Sequence, residues 1–316
     1  MSLFSTFPAL QHLLSLCFFL SLNLYAGAVS AESTDKLNIF VSVIPQKYMV
    51  ERVGGEHVEV NAMVQPGFSP ATYEPTPRQI SKLAKADFYI RVGVPFENSW
   101  MSRIQAVNPD MPVIDARENL TLRTLESHGH DDEHDHDHGG AEGAAEHAEH
   151  AAGTEQDPHI WNSPRLVKLM AAQIAEQLNK LRPQHSKTFA ANLETFTAEL
   201  EQLDQELSEL FAGTTQRKFM VFHPSWGYLA DAYNLTQIPI EADGKEPGAR
   251  ALTALVQQAR QEQVKTIFVQ LQFDERIARQ VAEAIGGKVV SIDPLAEDYL
   301  NNIRQAARLI AGAADE

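Results

Sequence analysis

The sequence predicts an α/β fold of two lobes, each with a mainly parallel sheet flanked by helices, joined by one long spine helix. Three observations predict it. Apolar runs of strand length alternate with amphipathic helical stretches from Lys36 to Asp115 and again beyond Lys218, the pattern of parallel strands linked by crossover helices. Between these two series, Phe189, Leu193, Phe196, Leu200, Leu203, Leu207 and Leu210 recur at alternating spacings of four and three, a single apolar stripe on one helix. The length of 316 residues also exceeds what one lobe usually holds.

The elements follow in order. Residues 1–31 contain no Asp, Glu, Lys or Arg, and an apolar run from Leu13 ends at small residues Val29, Ser30 and Ala31, so this stretch reads as a secretory signal, although it lacks a basic start. Cys17, the one cysteine, would leave with it, and Leu16 before it is too large for a typical lipoprotein site. A chain beginning near Glu32 then has neither a disulfide framework nor a thiolate metal site. Lys36–Val43 reads as a buried strand, Pro45–Val53 as a helix and Val58–Val64 as a second strand ending in a Pro- and Gly-containing loop at 65–70. Thr76, Pro77 and Gln79 supply a cap, a first-turn proline and a capping-box partner for a helix through Ala86. Phe88–Val92 and Pro112–Asp115 are the next strands.

Between residues 126 and 156 the periodicity vanishes. The stretch from Glu126 to Asp157 holds seven histidines (His128, His130, His134, His136, His138, His147 and His150) and eleven acidic residues, set among Gly and Ala. It buries too little apolar surface to offset its chain entropy and reads as a mobile loop. A loop of about thirty residues inside a lobe calls for a function. An acidic spacer would explain the charge, but alternating imidazoles and carboxylates suit weak, exchangeable binding of a borderline divalent cation.

Ser163 and Pro164 open a helix with Leu166, Met170, Ile174, Leu178 and Leu181 on one face. The spine follows as residues 186–211, about 39 Å long at 1.5 Å per residue. A coiled-coil dimer would use the same stripe, but a spine lying along both lobes needs no partner chain and leaves the protein a monomer. Beyond it, Lys218–Phe222, Ile238–Ile240, Thr266–Gln270 and Lys288–Ile292 read as strands. Tyr228–Tyr233, Pro247–Gln263, Glu275–Ile285 and Asp298–Ala311 read as helices. The lobes are therefore expected at 32–185 and 212–316.

A formal charge of −16 excludes nucleic acid, whose phosphates demand a basic surface, and favours small cations. His223 directly follows one strand and Asp293 another, and in open α/β sheets ligands sit beyond the carboxyl ends of strands. His159 stands between the histidine-rich stretch and a helix. Each alone has a plain alternative, His159 as a surface or capping residue and Asp293 as a helix cap. Two imidazoles and a carboxylate converging from two lobes form a metal site, and that donor set suits zinc better than calcium or magnesium. His57 and His185 lie among polar neighbours and read as exposed. Trp161 and Trp226 read as cleft-wall packing.

The ordered segments Gly67–Pro70, Tyr73–Pro77, Asp157–Trp161, Phe222–Pro224 and Ile292–Leu295 resemble the zinc/manganese substrate-binding proteins of bacterial ABC transporters, and the histidine-rich stretch resembles the zinc-specific branch. The resemblance runs through essentially the whole chain after residue 31. It implies metal held between two α/β lobes, a periplasmic location and delivery of Zn2+ to an inner-membrane ABC permease, with other periplasmic metal chaperones as further partners. Matched by motif, His159, His223 and Asp293 fall on ligand positions. One departure stands out: a histidine is common after the Gly-x-Ser-Pro turn, and here that residue is Ala71. Water, Gln270, Glu241 or a histidine of the 126–156 loop is left for the fourth vertex. A manganese carrier of the same fold fits the histidine-rich stretch poorly. A secreted zinc hydrolase also uses three protein ligands and a water, but no His-Glu-x-x-His helix or comparable hydrolase motif occurs.

Overall fold

The computed structural model describes residues 36–125, 156–242 and 244–312. The secretory signal expected at 1–31 and the seven histidines of the 126–156 stretch lie outside the described residues. No helix among those described is long and apolar enough to cross a membrane.

The first lobe is a four-stranded parallel sheet in the order β2-β1-β3-β4, with β1 at Leu37–Val41, β2 at Val58–Ala62, β3 at Phe88–Arg91 and β4 at Val113–Asp115. Its helices are α1 (Ile44–Gly54), α2 (Pro77–Leu83) and α3 (Pro95–Val107). The second lobe repeats the arrangement in the order β6-β5-β7-β8, with β5 at Lys218–Val221, β6 at Thr236–Pro239, β7 at Thr266–Val269 and β8 at Lys288–Ser291, all parallel. Between them run α4 (Pro164–Leu181) and the spine α5 (Ser186–Ala212); α6 (Gly227–Ala232), α7 (Ala249–Gln261), α8 (Arg276–Ile285) and α9 (Tyr299–Ile310) complete the chain. In each sheet the chain leaves its first strand on one side and returns on the other. That reversal opens a crevice at the carboxyl ends of β1 and β3, and of β5 and β7.

Local chemistry sets the element ends. Thr76 and Gln79 form the expected reciprocal cap of α2, Gln79 N donating to Thr76 Oγ1 at 3.3 Å and Thr76 N to Gln79 Oε1 at 2.9 Å. The start of α1 is held by buried Gln46, whose Oε1 accepts from Ser42 N at 3.0 Å and Val43 N at 3.1 Å. Ser163 does not cap α4 with its hydroxyl. It is 2 % exposed, and its carbonyl receives Leu166 N and Val167 N instead.

The spine stripe is buried within the chain. Phe189, Phe196, Leu200, Leu203, Leu207 and Phe211 are at most 2 % exposed, packed among α1, α4 and α9 in a core that continues into both sheets. Leu193 and Leu210, the other two residues of the expected stripe, are half-buried against the same core, and Phe211 joins them, so the stripe is covered without a partner chain. His57 and His185 are not free on the surface, as the sequence suggests, but half-buried and stacked with ring centroids 3.8 Å apart over Phe189.

Candidate metal centre

The carboxyl edge of the second sheet carries a row of polar side chains, because the residue one or two past each strand turns out of the ladder. Glu241 follows β6, His223 follows β5, Gln270 follows β7 and Asp293 follows β8. Opposite them stands the segment Asp157–Asn162, which enters a short 3-10 turn and is buried throughout. It is bonded to both facing loops of the second lobe: Trp161 Nε1 donates to Pro294 O at 2.8 Å and Asn162 Nδ2 to Ser225 O at 2.7 Å. His159, two residues before Trp161, is thereby fixed against the loops that carry His223 and Asp293.

The two imidazoles meet. His159 Nε2 and His223 Nε2 are 3.2 Å apart. Their other nitrogens are backed by buried carboxylates: His159 Nδ1 lies 2.7 Å from Asp157 Oδ1, and His223 Nδ1 contacts Glu241 Oε1. With each Nδ1–H donated to a carboxylate, each Nε2 presents a lone pair to the other, and such an arrangement is repulsive unless a proton or a cation lies between them. Two nitrogens at the 2.0–2.1 Å bond length of zinc, on neighbouring vertices of a tetrahedron, would be about 3.3 Å apart. Carboxylate behind imidazole is also the usual way a metal-binding histidine is oriented and made more basic. Burial pushes the His159 imidazole below the ordinary histidine range, against the opposing pull of Asp157, which favours the neutral, metal-binding form.

The pair opens onto a cavity of about 290 Å³ lined from the first lobe by Ser69, Pro70 and Ala71 and from the second by Gln272, Phe273 and Pro294, among others. Phe273 stacks on His223 at 5.1 Å, and Trp161 meets His159 edge-on at 5.2 Å, so the cleft-wall role holds for Trp161. Trp226 is instead fully buried in the core.

Asp293 occupies the neighbouring loop. Its Oδ1 accepts from Leu295 N at 2.9 Å and from Gln272 Nε2 at 3.3 Å. Among the described residues no group of three His, Cys, Asp or Glu side chains stands at metal-binding spacing, so the structure joins the histidine pair without drawing Asp293 onto it. Glu241 and Gln270, two options for a fourth vertex, both hold His223 in place. Glu241 takes its Nδ1, while Gln270 Oε1 accepts from His223 N at 3.2 Å and Gln270 Nε2 donates to His223 O at 2.6 Å. Ala71 faces the cavity as expected and offers only a methyl group. The supporting roles of Asp157 and Glu241 were not evident from sequence. The Asp157-Pro158-His159 spacing is a local hint for the first, but Glu241 reaches His223 only through the pairing of β5 with β6.

Two parallel-sheet lobes on a spine helix, with a histidine pair closing a cleft between them, define a metal-binding solute-binding protein of an ABC transporter. The chain belongs to the ZnuA family, described as the periplasmic component A of the zinc-uptake complex, whose model matches residues 39–313. A solved structure of ZnuA is 39 % identical and superposes with a TM-score of 0.78, covering 88 % of this chain and 99 % of that one. A putative metal-binding protein of Treponema pallidum is 28 % identical over 263 residues, 82 % of this chain and 79 % of the relative. The zinc-binding lipoprotein AdcA of Streptococcus pneumoniae is 27 % identical over 288 residues, 90 % of this chain but only 54 % of AdcA. Proteins of this family are non-enzymatic, which sets aside the hydrolase alternative.

Proposed function

We propose that the protein captures Zn2+ outside the cytoplasm in the cavity between its lobes and delivers it to an ABC permease. The observation that carries this reading is the 3.2 Å approach of His159 Nε2 to His223 Nε2, each ring backed by a buried carboxylate. His159 and His223 are the nitrogen ligands and Asp293 the carboxylate ligand, recruited by turning away from Gln272. The histidines of the 126–156 stretch raise the local supply of zinc and offer an imidazole for the vertex that Ala71 leaves unfilled. Residues 1–31 direct export, and lobes at 32–185 and 212–316 are held by the helix at 186–211.

Imidazole-rich coordination supports zinc over manganese, which prefers oxygen donors. The relatives point the same way: AdcA is named zinc-binding, and a ZnuA deletion mutant that is 37 % identical to this chain was solved with zinc bound. Competition between the two metals on the full chain tests the choice. Zinc should displace bound manganese at equimolar concentration, and manganese that resists displacement by excess zinc would overturn the zinc assignment.

A further inference from the structure

Arg123 lies in the first lobe just before the histidine-rich stretch, and its guanidinium is 16 % exposed. It stands between two carboxylates. Nε is 3.7 Å from Asp157 Oδ2, and Nη1 pairs with Asp231 Oδ2 on α6 of the second lobe. The backbones reinforce the contact. Asp157 N donates to Arg123 O at 2.9 Å, Arg123 N donates to Tyr228 Oη at 3.0 Å, and Tyr228 Oη donates to Asp157 O at 2.8 Å. Burial pushes the Tyr228 phenol up to about 12, so it stays protonated and keeps its role as donor. Gly227 makes room for the guanidinium: a Cβ there would come within 2.7 Å of Arg123 Nε.

Asp157 is 1 % exposed and has two tasks. Its Oδ1 accepts from both His159 N at 2.9 Å and His159 Nδ1 at 2.7 Å, while Oδ2 faces Arg123. Oδ1 is therefore fixed by the two His159 donors and Oδ2 by an ion-pair contact with Arg123 rather than a hydrogen bond, and the two together favour the carboxylate orientation that meets the imidazole. An acid that only needed a partner in the core would not have to be joined to the opposite lobe through the same arginine.

Building on the assignment of His159 as a zinc ligand, we propose that Arg123 is a positioning residue for it, transmitting the seating of the second lobe through Asp157 to the imidazole. When α6 is docked, Asp231 and Tyr228 hold Arg123 and the Asp157 segment in place, and His159 Nε2 points at His223. When the lobes part, this support is lost and the zinc ligand loosens.

The test is Zn2+ affinity of the full chain by competition with a chromophoric chelator, with thermal midpoint measured separately. Partners of a metal-binding histidine typically alter affinity 10–100-fold. Arg123→Gln should weaken Zn2+ binding about 10-fold, at the low end because it acts one residue further out. Arg123→Lys, which keeps a cation between the carboxylates, should recover part of that loss. Gly227→Ala, which displaces the guanidinium without removing it, should weaken binding in the same direction, and the 15N resonance of His159 Nδ1 should shift in both Arg123→Gln and Gly227→Ala. Should Arg123→Gln fail to fold, Asp231→Asn decides at the half-open end of the relay, with an expected loss of about threefold. Affinity and His159 resonances unchanged in the folded variants, even with a lowered thermal midpoint, would overturn the relay and leave Arg123 a structural ion pair. A wild-type chain that binds no Zn2+ would instead overturn the underlying ligand assignment.

Discussion

Replacing His223 with alanine is expected to weaken zinc binding by more than about 100-fold, beyond the 10–100-fold range typical of losing an outer partner. The substitution removes one of two converging imidazoles and also strands Glu241. That carboxylate is 4 % exposed and pairs with His223 Nδ1, so its buried charge loses its partner. Isothermal titration of the folded variant reads the effect, with circular dichroism confirming that the second sheet survives. A loss smaller than tenfold would mean that His223 is not a ligand. Glu241→Gln should fall between the wild type and His223→Ala, because the ring keeps a partner but loses the charge behind it.

The second large effect is on stability. Phe196 is fully buried on the spine, edge-on to Tyr48 of α1 at 5.9 Å and beneath the Arg52 guanidinium at 5.0 Å, while Tyr48 in turn meets Tyr299 of α9 at 6.1 Å. The ring therefore sits where helices of both lobes converge on α5. Phe196→Ala should cost about 3–5 kcal/mol through lost burial and the cavity left behind. It should lower the thermal midpoint by roughly 10 °C in a chain of this size. Zinc affinity should change little, since the ring is remote from the cleft. A midpoint within about 2 °C of wild type would show that the spine does not hold the lobes as the packing implies.

The spine was the easiest element to read, because a stripe running along about six turns writes its period into the sequence. The buried parallel strands were legible as apolar runs, though all but β4 end a residue or two earlier than the run that announced them. The trailing residue, Phe222 after β5 or Ile292 after β8, stays buried and its N–H still bonds β7, at 2.8 Å to Phe268 O and 3.0 Å to Val269 O, before the chain turns toward the cleft. Helix α3 escaped notice. It buries only Phe96, Glu97 and Ile104, too thin a stripe to show a helical period, and its most buried polar group is a carboxylate. Glu97 is fully enclosed by Ser42 Oγ at 2.6 Å, Val92 N at 2.8 Å, Gly93 N at 2.9 Å and Arg91 Nε at 3.1 Å, an arrangement no local pattern announces.

The site divides along the same line. His159 and His223 could be picked out because their places, before a helix and after a strand, are sequence features. What aims them could not. Glu241, Gln270 and Arg123 reach the histidine pair or its supports through strand order and lobe docking. Even the Asp157 carboxylate, two residues from His159, has its second oxygen facing Arg123, a neighbour that no local spacing announces.

A crystal structure of the full chain with Zn2+, with the metal located by its anomalous signal, tests the central claim most directly. The ion should lie within about 2.0–2.2 Å of His159 Nε2, His223 Nε2 and a carboxylate oxygen of Asp293. Zinc bound away from the histidine pair, or a pair that stays bonded ring to ring while the metal sits elsewhere, would contradict it.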